Sequence, residues 1–199
     1  MKLITVTSYK GGVSKSTTAI HLATFLSDYG STLLIDCDQN RTAIAWSERG
    51  ALPFKVLAEK AAYKVMGDYD YAIIDTPANP DSNDLKELAE SSDLLILPTL
   101  PDVVSLDPML QTAGDLEGNN YRALIAIVPP KPNTDGLRLK GELQAADFPV
   151  FDTMIRRSIG FSKAALAGKP VRDLSGGDRM AWLDYEKLGI EVLEALSNE

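Results

Sequence analysis

The chain is poor in three things: cysteine, long apolar runs and positive charge. Its one cysteine, Cys37, excludes an intrachain disulfide framework and a metal site built from a cysteine cluster. No run reaches the roughly 18 apolar residues that a membrane-spanning helix needs. Lys2 is followed by a short strand-like run rather than an apolar leader, which predicts a cytoplasmic protein. A net charge of −8 argues against a protein that coats nucleic acid with its whole surface. Internal repeats, low-complexity tracts and linkers are also missing, so the 199 residues read as a single domain, 1–199, large enough for a sizeable core.

What is present is organised around Tyr9 to Thr18. Before this stretch lies Leu3-Ile4-Thr5-Val6-Thr7, an apolar and β-branched run of strand length. After it, Ala19, Leu22, Ala23 and Leu26 recur at helical spacing. A strand therefore turns into a helix through Lys10-Gly11-Gly12-Val13-Ser14-Lys15-Ser16-Thr17. The first N–H groups of a helix lack internal partners, and the helix dipole adds partial positive charge, so a polyphosphate is well held there. Gly11 and Gly12 let the backbone curl around phosphate oxygens without a Cβ in the way. Lys15 is placed to reach the β- and γ-phosphates, and the Ser16 hydroxyl to ligate Mg²⁺. The expected ligand is ATP with Mg²⁺, and the ATP-binding residues run from Lys10 through Thr17.

Carboxylates follow at the ends of two further apolar runs. Thr32-Leu33-Leu34-Ile35 runs into Asp36-Cys37-Asp38, and Tyr71-Ala72-Ile73-Ile74 into Asp75-Thr76-Pro77. Acids at the carboxyl ends of parallel strands sit at the edge where such sheets bind ligands. Two such acids near a Mg-nucleotide suit holding the metal's water shell and orienting an attacking water; Asp38 or Asn40 could instead cap the helix from Thr42 to Glu48. Leu94–Pro98 and Tyr121–Val128 are further unbroken apolar runs. Lack of alternation means strands covered on both faces. The fold expected is α/β, doubly wound, with a mostly parallel sheet flanked by helices. Helices are predicted from Asp84 to Ser91, Val103 to Leu116, Leu137 to Ala146, after Ser158 to Ala167, and at the C-terminal end. Trp46 is expected in the core or an interface.

The box K-G-G-x-x-K-[ST]-T resembles the deviant Walker A motif of the ParA/MinD family of P-loop ATPases, with Ser14 where that family has a glycine. Asp36 and Asp38 match the family's D-x-D-P-Q element, with Gln39 and Asn40 replacing its last two residues; Asp75-Thr76-Pro77 resembles its Walker B and second switch, from Thr76 to Asp81. The W-S-x-x-G run from Trp46 to Gly50 is similar to the short ParF-like members, and the absence of an N-terminal helix-turn-helix extension places the chain beside these and the carboxysome-positioning McdA type. The resemblance implies slow ATP hydrolysis stimulated by a ParB/McdB-like adaptor, in an ATP-sandwich homodimer. It assigns catalysis to Lys10, acting across the dimer, with Lys15 and with Asp38 as the hydrolytic residue, and it puts Asp36 and Asp75 on the metal side. It places adenine recognition at Pro129 to Asn133. Its cargo would be a plasmid, a chromosome or a carboxysome.

Members of that type ride the nucleoid through non-specific DNA. Between Lys131 and Arg172 the chain has eight basic residues against four acidic ones. Arg138, Lys140, Arg156, Arg157, Lys163, Lys169 and Arg172 are the candidate phosphate contacts there. A MinD-like membrane anchor would need a basic amphipathic tail. The tail instead carries Glu186, Glu191, Glu194 and Glu199 against Lys187, so no membrane contact is expected. The alternative is a nucleotide-binding dimeric switch with little turnover, or a MinD-like regulator acting without DNA.

Overall fold

In a computed structural model, Ile4 and Val6 face one side of a parallel sheet while Leu3 faces the other, and both sides are covered. The structure describes residues 1–8, 10–78, 80, 82–102, 116 and 120–197. Six strands form the sheet: β1 (Lys2–Ser8), β2 (Thr32–Asp36), β3 (Lys55–Ala58), β4 (Tyr71–Ala78), β5 (Leu94–Thr99) and β6 (Tyr121–Ile125). Their order is β3-β2-β4-β1-β5-β6, and every pairing is parallel. β1 lies between β4 and β5, so chain direction through the sheet reverses around it. A crevice opens at the carboxyl ends beside such a reversal.

The same alternation repeats in each strand. Leu34, Ile73, Ile96 and Leu124 join the cluster containing α1 (Lys15–Leu26), α2 (Thr42–Glu48) and the last helix. Leu33, Ala72, Leu95 and Ala123 face the opposite layer. That layer holds a four-residue α3 (Glu59–Ala62), α4 (Ser82–Ser91) and α5 (Asp135–Ala145). On the first face lie α6 (Ile159–Ala167) and α7 (Trp182–Ser197). The Ser158 hydroxyl accepts from Gly160 N–H at 3.0 Å to start α6, and Gly168, with φ 63, ends it. A Cβ on Gly189 would sit 2.2 Å from the Phe25 ring, so glycine lets α7 lie flat on α1.

Strand six stops at Ile125 rather than the expected Val128, because Ile127 takes φ 57 and turns the chain out of the sheet. A branched side chain rarely adopts that conformation. Val128 then pairs with Arg156, and Val150 with Ala123, as isolated bridges outside the strands. The helix expected from Val103 to Leu116 lies, apart from Leu116, outside the described residues. No helix among the described residues is long and apolar enough to cross a membrane.

Candidate nucleotide site

The turn from β1 to α1 builds the site. Gly12 has φ 75 and Ser14 φ 82, so two residues of the loop are left-handed. For the non-glycine Ser14 this costs about 1–2 kcal/mol. Val13, between them, is 1% exposed and anchors the loop in the core. α1 then begins at Lys15 with no side-chain cap on its first amides, as an anion-binding helix start requires. Lys15 is 7% exposed and its Nζ lies 3.4 Å from the Lys10 carbonyl. Burial lowers its pKa, and the charges of Asp75 and Asp38 pull it back up.

Asp75 lies within β4, level with Asp36 at the end of β2, fully buried, with neither carboxylate oxygen hydrogen-bonded among the described residues. Burial pushes its pKa up to about 7; the neighbouring Ser16 hydroxyl opposes this, while Asp36 and Asp38 add to it. A buried carboxylate without partners is costly unless a ligand satisfies it. A hydrated Mg²⁺ would do so, and Ser16 and Asp75 are the residues that could hold it.

Asp36 is differently engaged. Its Oδ1 accepts from Asp38 N–H at 3.1 Å and its Oδ2 from Ile44 N–H at 2.9 Å. The carboxylate expected on the metal side thus shapes the switch turn and caps α2. That cap had been open to Asp38 or Asn40; instead, Asp38 Oδ1 accepts from Asn40 N and Nδ2 at 2.9 and 3.0 Å. Asp38 faces the cavity beside the phosphate loop. Lys10 Nζ is 3.8 Å from Asp102 Oδ1, held at the site's rim within one subunit. Cys37 is half-buried, and burial with the charge of Glu59 pushes its thiol up to about 12, so it stays protonated.

Gly11, Gly12 and Ser14 through Thr17 open on a cavity of about 630 Å³. Its far wall comes from Ile127 and the segment from Ile155 to Ser162. Pro129 to Asn133, expected to hold a base, are not part of that wall. The wall is braced by α7: Glu191 accepts from Asp152 and Thr153 N–H at 2.7 and 2.8 Å, and Asp184 accepts from Arg156 N–H at 2.9 Å. Ile127, Ile155, Phe161 and these two acids were missed in the sequence, where spacings of 28 and 39 residues leave no local signal. Trp46, by contrast, is buried as expected, its Nε1 donating to the Lys169 carbonyl at 3.1 Å.

A left-handed glycine loop opening a helix, a buried acid in the adjacent strand and a crevice beside them agree with one family model. Residues 4–171 match the CobQ/CobB/MinD/ParA nucleotide-binding domain. The chain belongs to that family. Its ParA/MinD members are P-loop ATPases. The maintenance of carboxysome distribution protein A of Gloeobacter kilaueensis is 30% identical over 202 residues, covering 96% of this chain and 94% of that protein. Among solved structures, apo McdA from Cyanothece superposes with a TM-score of 0.76 at 16% identity, over 98% of this chain and 99% of that one. A putative plasmid partition protein from Borrelia burgdorferi, bound to AMPPNP, gives 0.73 at 19% identity, over 96% and 99%. At these identities the structures establish the fold.

The seven basic candidates for DNA do not form one free cationic face. Arg138 lies 3.9 and 3.8 Å from Asp135 and Glu142, and Lys140 is 2.7 Å from Asp152. Arg156 pairs with Asp184, Lys163 with Asp178 and Arg172 with Asp28, at 2.6 to 2.7 Å. Arg157 and Lys169 are exposed, and neither has an acidic partner among the described residues.

Proposed function

We propose that this protein is a positioning ATPase of the ParA/MinD type that binds MgATP at the Lys10–Thr17 loop. The observation that carries the reading is Asp75: a fully buried carboxylate whose oxygens accept no hydrogen bond among the described residues, beside Ser16 and Lys15, at a turn built to take phosphates. Loop amides and Lys15 hold the phosphates, and burial makes the Lys15 charge more effective than it would be in water. Asp38, facing the cavity from the switch turn, orients the attacking water. Bound Mg²⁺ supplies charge neutralisation to the phosphate oxygens. Lys10 leaves Asp102 for the phosphates of a second subunit, so ATP closes a sandwich homodimer. A ParB/McdB-like adaptor then stimulates hydrolysis and releases the dimer.

In the dimer, non-specific nucleoid DNA is the track, held by phosphate contacts alone, and the cargo is a plasmid, a chromosome or a carboxysome. The carboxysome-related name of the Gloeobacter relative supports that last option. The test is binding to arbitrary duplex DNA with ATP and with ADP, using Asp38→Ala to hold the ATP state. Binding with ATP alone, weakening steeply with salt, is the expected result. A second reading, a nucleotide-dependent switch acting on protein partners without DNA, is favoured by the carboxylates that pair with five of the seven candidate cations. A nucleotide-dependent dimer that ignores DNA in both states would establish it instead.

A further inference from the structure

The cavity wall across from the phosphate loop presents three apolar side chains, Ile127, Ile155 and Phe161. Ile127 takes φ 57, a conformation that a branched residue keeps only where its surroundings fix it. It is half-buried against the core on the α1 side of the sheet. The Phe161 ring packs edge-to-face with His21 at 5.2 Å and with Tyr185 at 5.6 Å. The polar groups of the same wall are largely engaged with the protein. Ile155 N–H donates to the Ile125 carbonyl at 2.9 Å, and the Ile155 carbonyl accepts from Val128 N–H at 2.9 Å. Arg157 N–H donates to the Val128 carbonyl at 2.8 Å. Arg156 commits its N–H and its guanidinium to Asp184. Ser158 Oγ accepts from Gly160 N–H. Among the described residues of the wall, the side chains that still offer hydrogen bonds to the cavity are the hydroxyls of Ser158 and Ser162 and the exposed guanidinium of Arg157.

We propose that this wall holds the nucleotide base by its face, on Ile127, Ile155 and Phe161, without reading its edge, so that the site takes either purine nucleoside triphosphate. The proposal rests on the nucleotide reading above and names its substrate class. Burial of a flat ring on apolar side chains is non-directional and indifferent to the groups on the ring's rim. A site of fixed donors and acceptors rejects a ligand that leaves them unpaired by about 10⁴-fold or more. Serine hydroxyls are not fixed in that sense. They rotate to accept from an amino group or to donate to a carbonyl, so exchanging adenine for guanine leaves neither unpaired. Arg157 does not alter this, because N7 is an acceptor on both purines. Selection for a triphosphate stays with the loop amides and Lys15, and the base adds buried area.

The test is the affinity, by calorimetry, of the wild type and of Ile127→Ala for Mg-AMPPNP, Mg-GMPPNP and Mg-tripolyphosphate. Ile127→Ala keeps a Cβ on the left-handed backbone and removes the rest of the side chain. Thermal melting without ligand verifies that it folds, and Phe161→Leu serves in its place if it does not. The two nucleotides should bind the wild type within about tenfold of each other. Both should bind more than about tenfold tighter than tripolyphosphate, and Ile127→Ala should weaken both by about five- to tenfold while moving tripolyphosphate by less than about twofold. A preference for one purine beyond about tenfold means that the edge is read, and overturns the proposal. So does tripolyphosphate binding as tightly as the nucleotides, an equal loss on all three ligands, or no loss on either nucleotide; each of these leaves the phosphate-loop reading intact. A wild type that binds none of the three overturns both.

Discussion

The Arg156 guanidinium grips both oxygens of Asp184, Nε 2.7 Å from Oδ2 and Nη2 2.6 Å from Oδ1, while the Arg156 backbone N–H donates to Oδ2 at 2.9 Å. One carboxylate on α7 thereby ties down a segment that walls the cavity. Asp184→Ala leaves that backbone donor and the guanidinium without an acceptor. Stability should fall by about 1–3 kcal/mol in urea unfolding, with the Arg156 side chain half in water keeping the loss toward the lower end. A midpoint within error of the wild type would mean that α7 does not hold the wall.

Lys10 sits at the rim beside Asp102 rather than in the loop's interior. Lys10→Ala should therefore leave monomer affinity for Mg-AMPPNP within about threefold and abolish ATP-dependent dimerisation, read by sedimentation. Lys15→Ala should do the reverse, losing nucleotide at the first step because its buried ammonium is part of the loop. If Lys10→Ala loses monomer binding too, the lysine acts within its own subunit.

The distribution of ion pairs decides which cations are available to a polyanion. Arg157 and Lys169 are exposed without acidic partners among the described residues, whereas Arg138 and Lys140 face carboxylates. Replacing Arg157 and Lys169 together should lower the slope of log K against log salt by up to about two on any DNA sequence. Replacing Arg138 and Lys140 should change it by less than half as much. The opposite ranking would put the DNA face on α5.

His21 gives a pH signature. It is fully buried and its ring accepts Val171 N–H, and burial lowers its pKa to about 4, with the Thr17 carbonyl acting against that. The unfolded chain binds a proton near 6.5 that the folded chain refuses until about 4, so folding loses stability as pH falls through that window. The total is on the order of 3 kcal/mol. Asp75, raised to about 7, titrates with the opposite sign and is common to both proteins when wild type is compared with His21→Gln. The difference in unfolding free energy between them should shrink as pH drops from 7 to 5. A constant difference would place His21 in solvent contact.

The local parts of the site were legible because local chemistry sets them. A strand, two glycines, Lys15-Ser16 and a helix fall within 26 residues, and no distant contact is needed to define an anion-binding turn there. Asp75 could be placed for a similar reason, since a buried run that ends in an acid sets the acid at the strand's carboxyl edge. The bonds of Asp36 to the amides of Asp38 and Ile44 were not legible, because they depend on the path of the turn. The setting of the cation-rich stretch from Lys131 to Arg172 was less legible. Asp28, Asp178 and Asp184, which neutralise three of its residues, lie outside it.

The sequence by itself determined the layers and the loop: unbroken apolar strands must be covered on both faces, and glycine next to a helix start frees amides for phosphate. Only the tertiary structure decided the rest of the site. It brought Ile127 and the 155–162 segment across from the loop, and it set α7 beneath both walls, with Tyr185 on Thr18 and Asp184 on Arg156. Those contacts join residues 28 to 167 positions apart, and their partners are fixed by how helices pack on an open parallel sheet, which no spacing in the chain encodes.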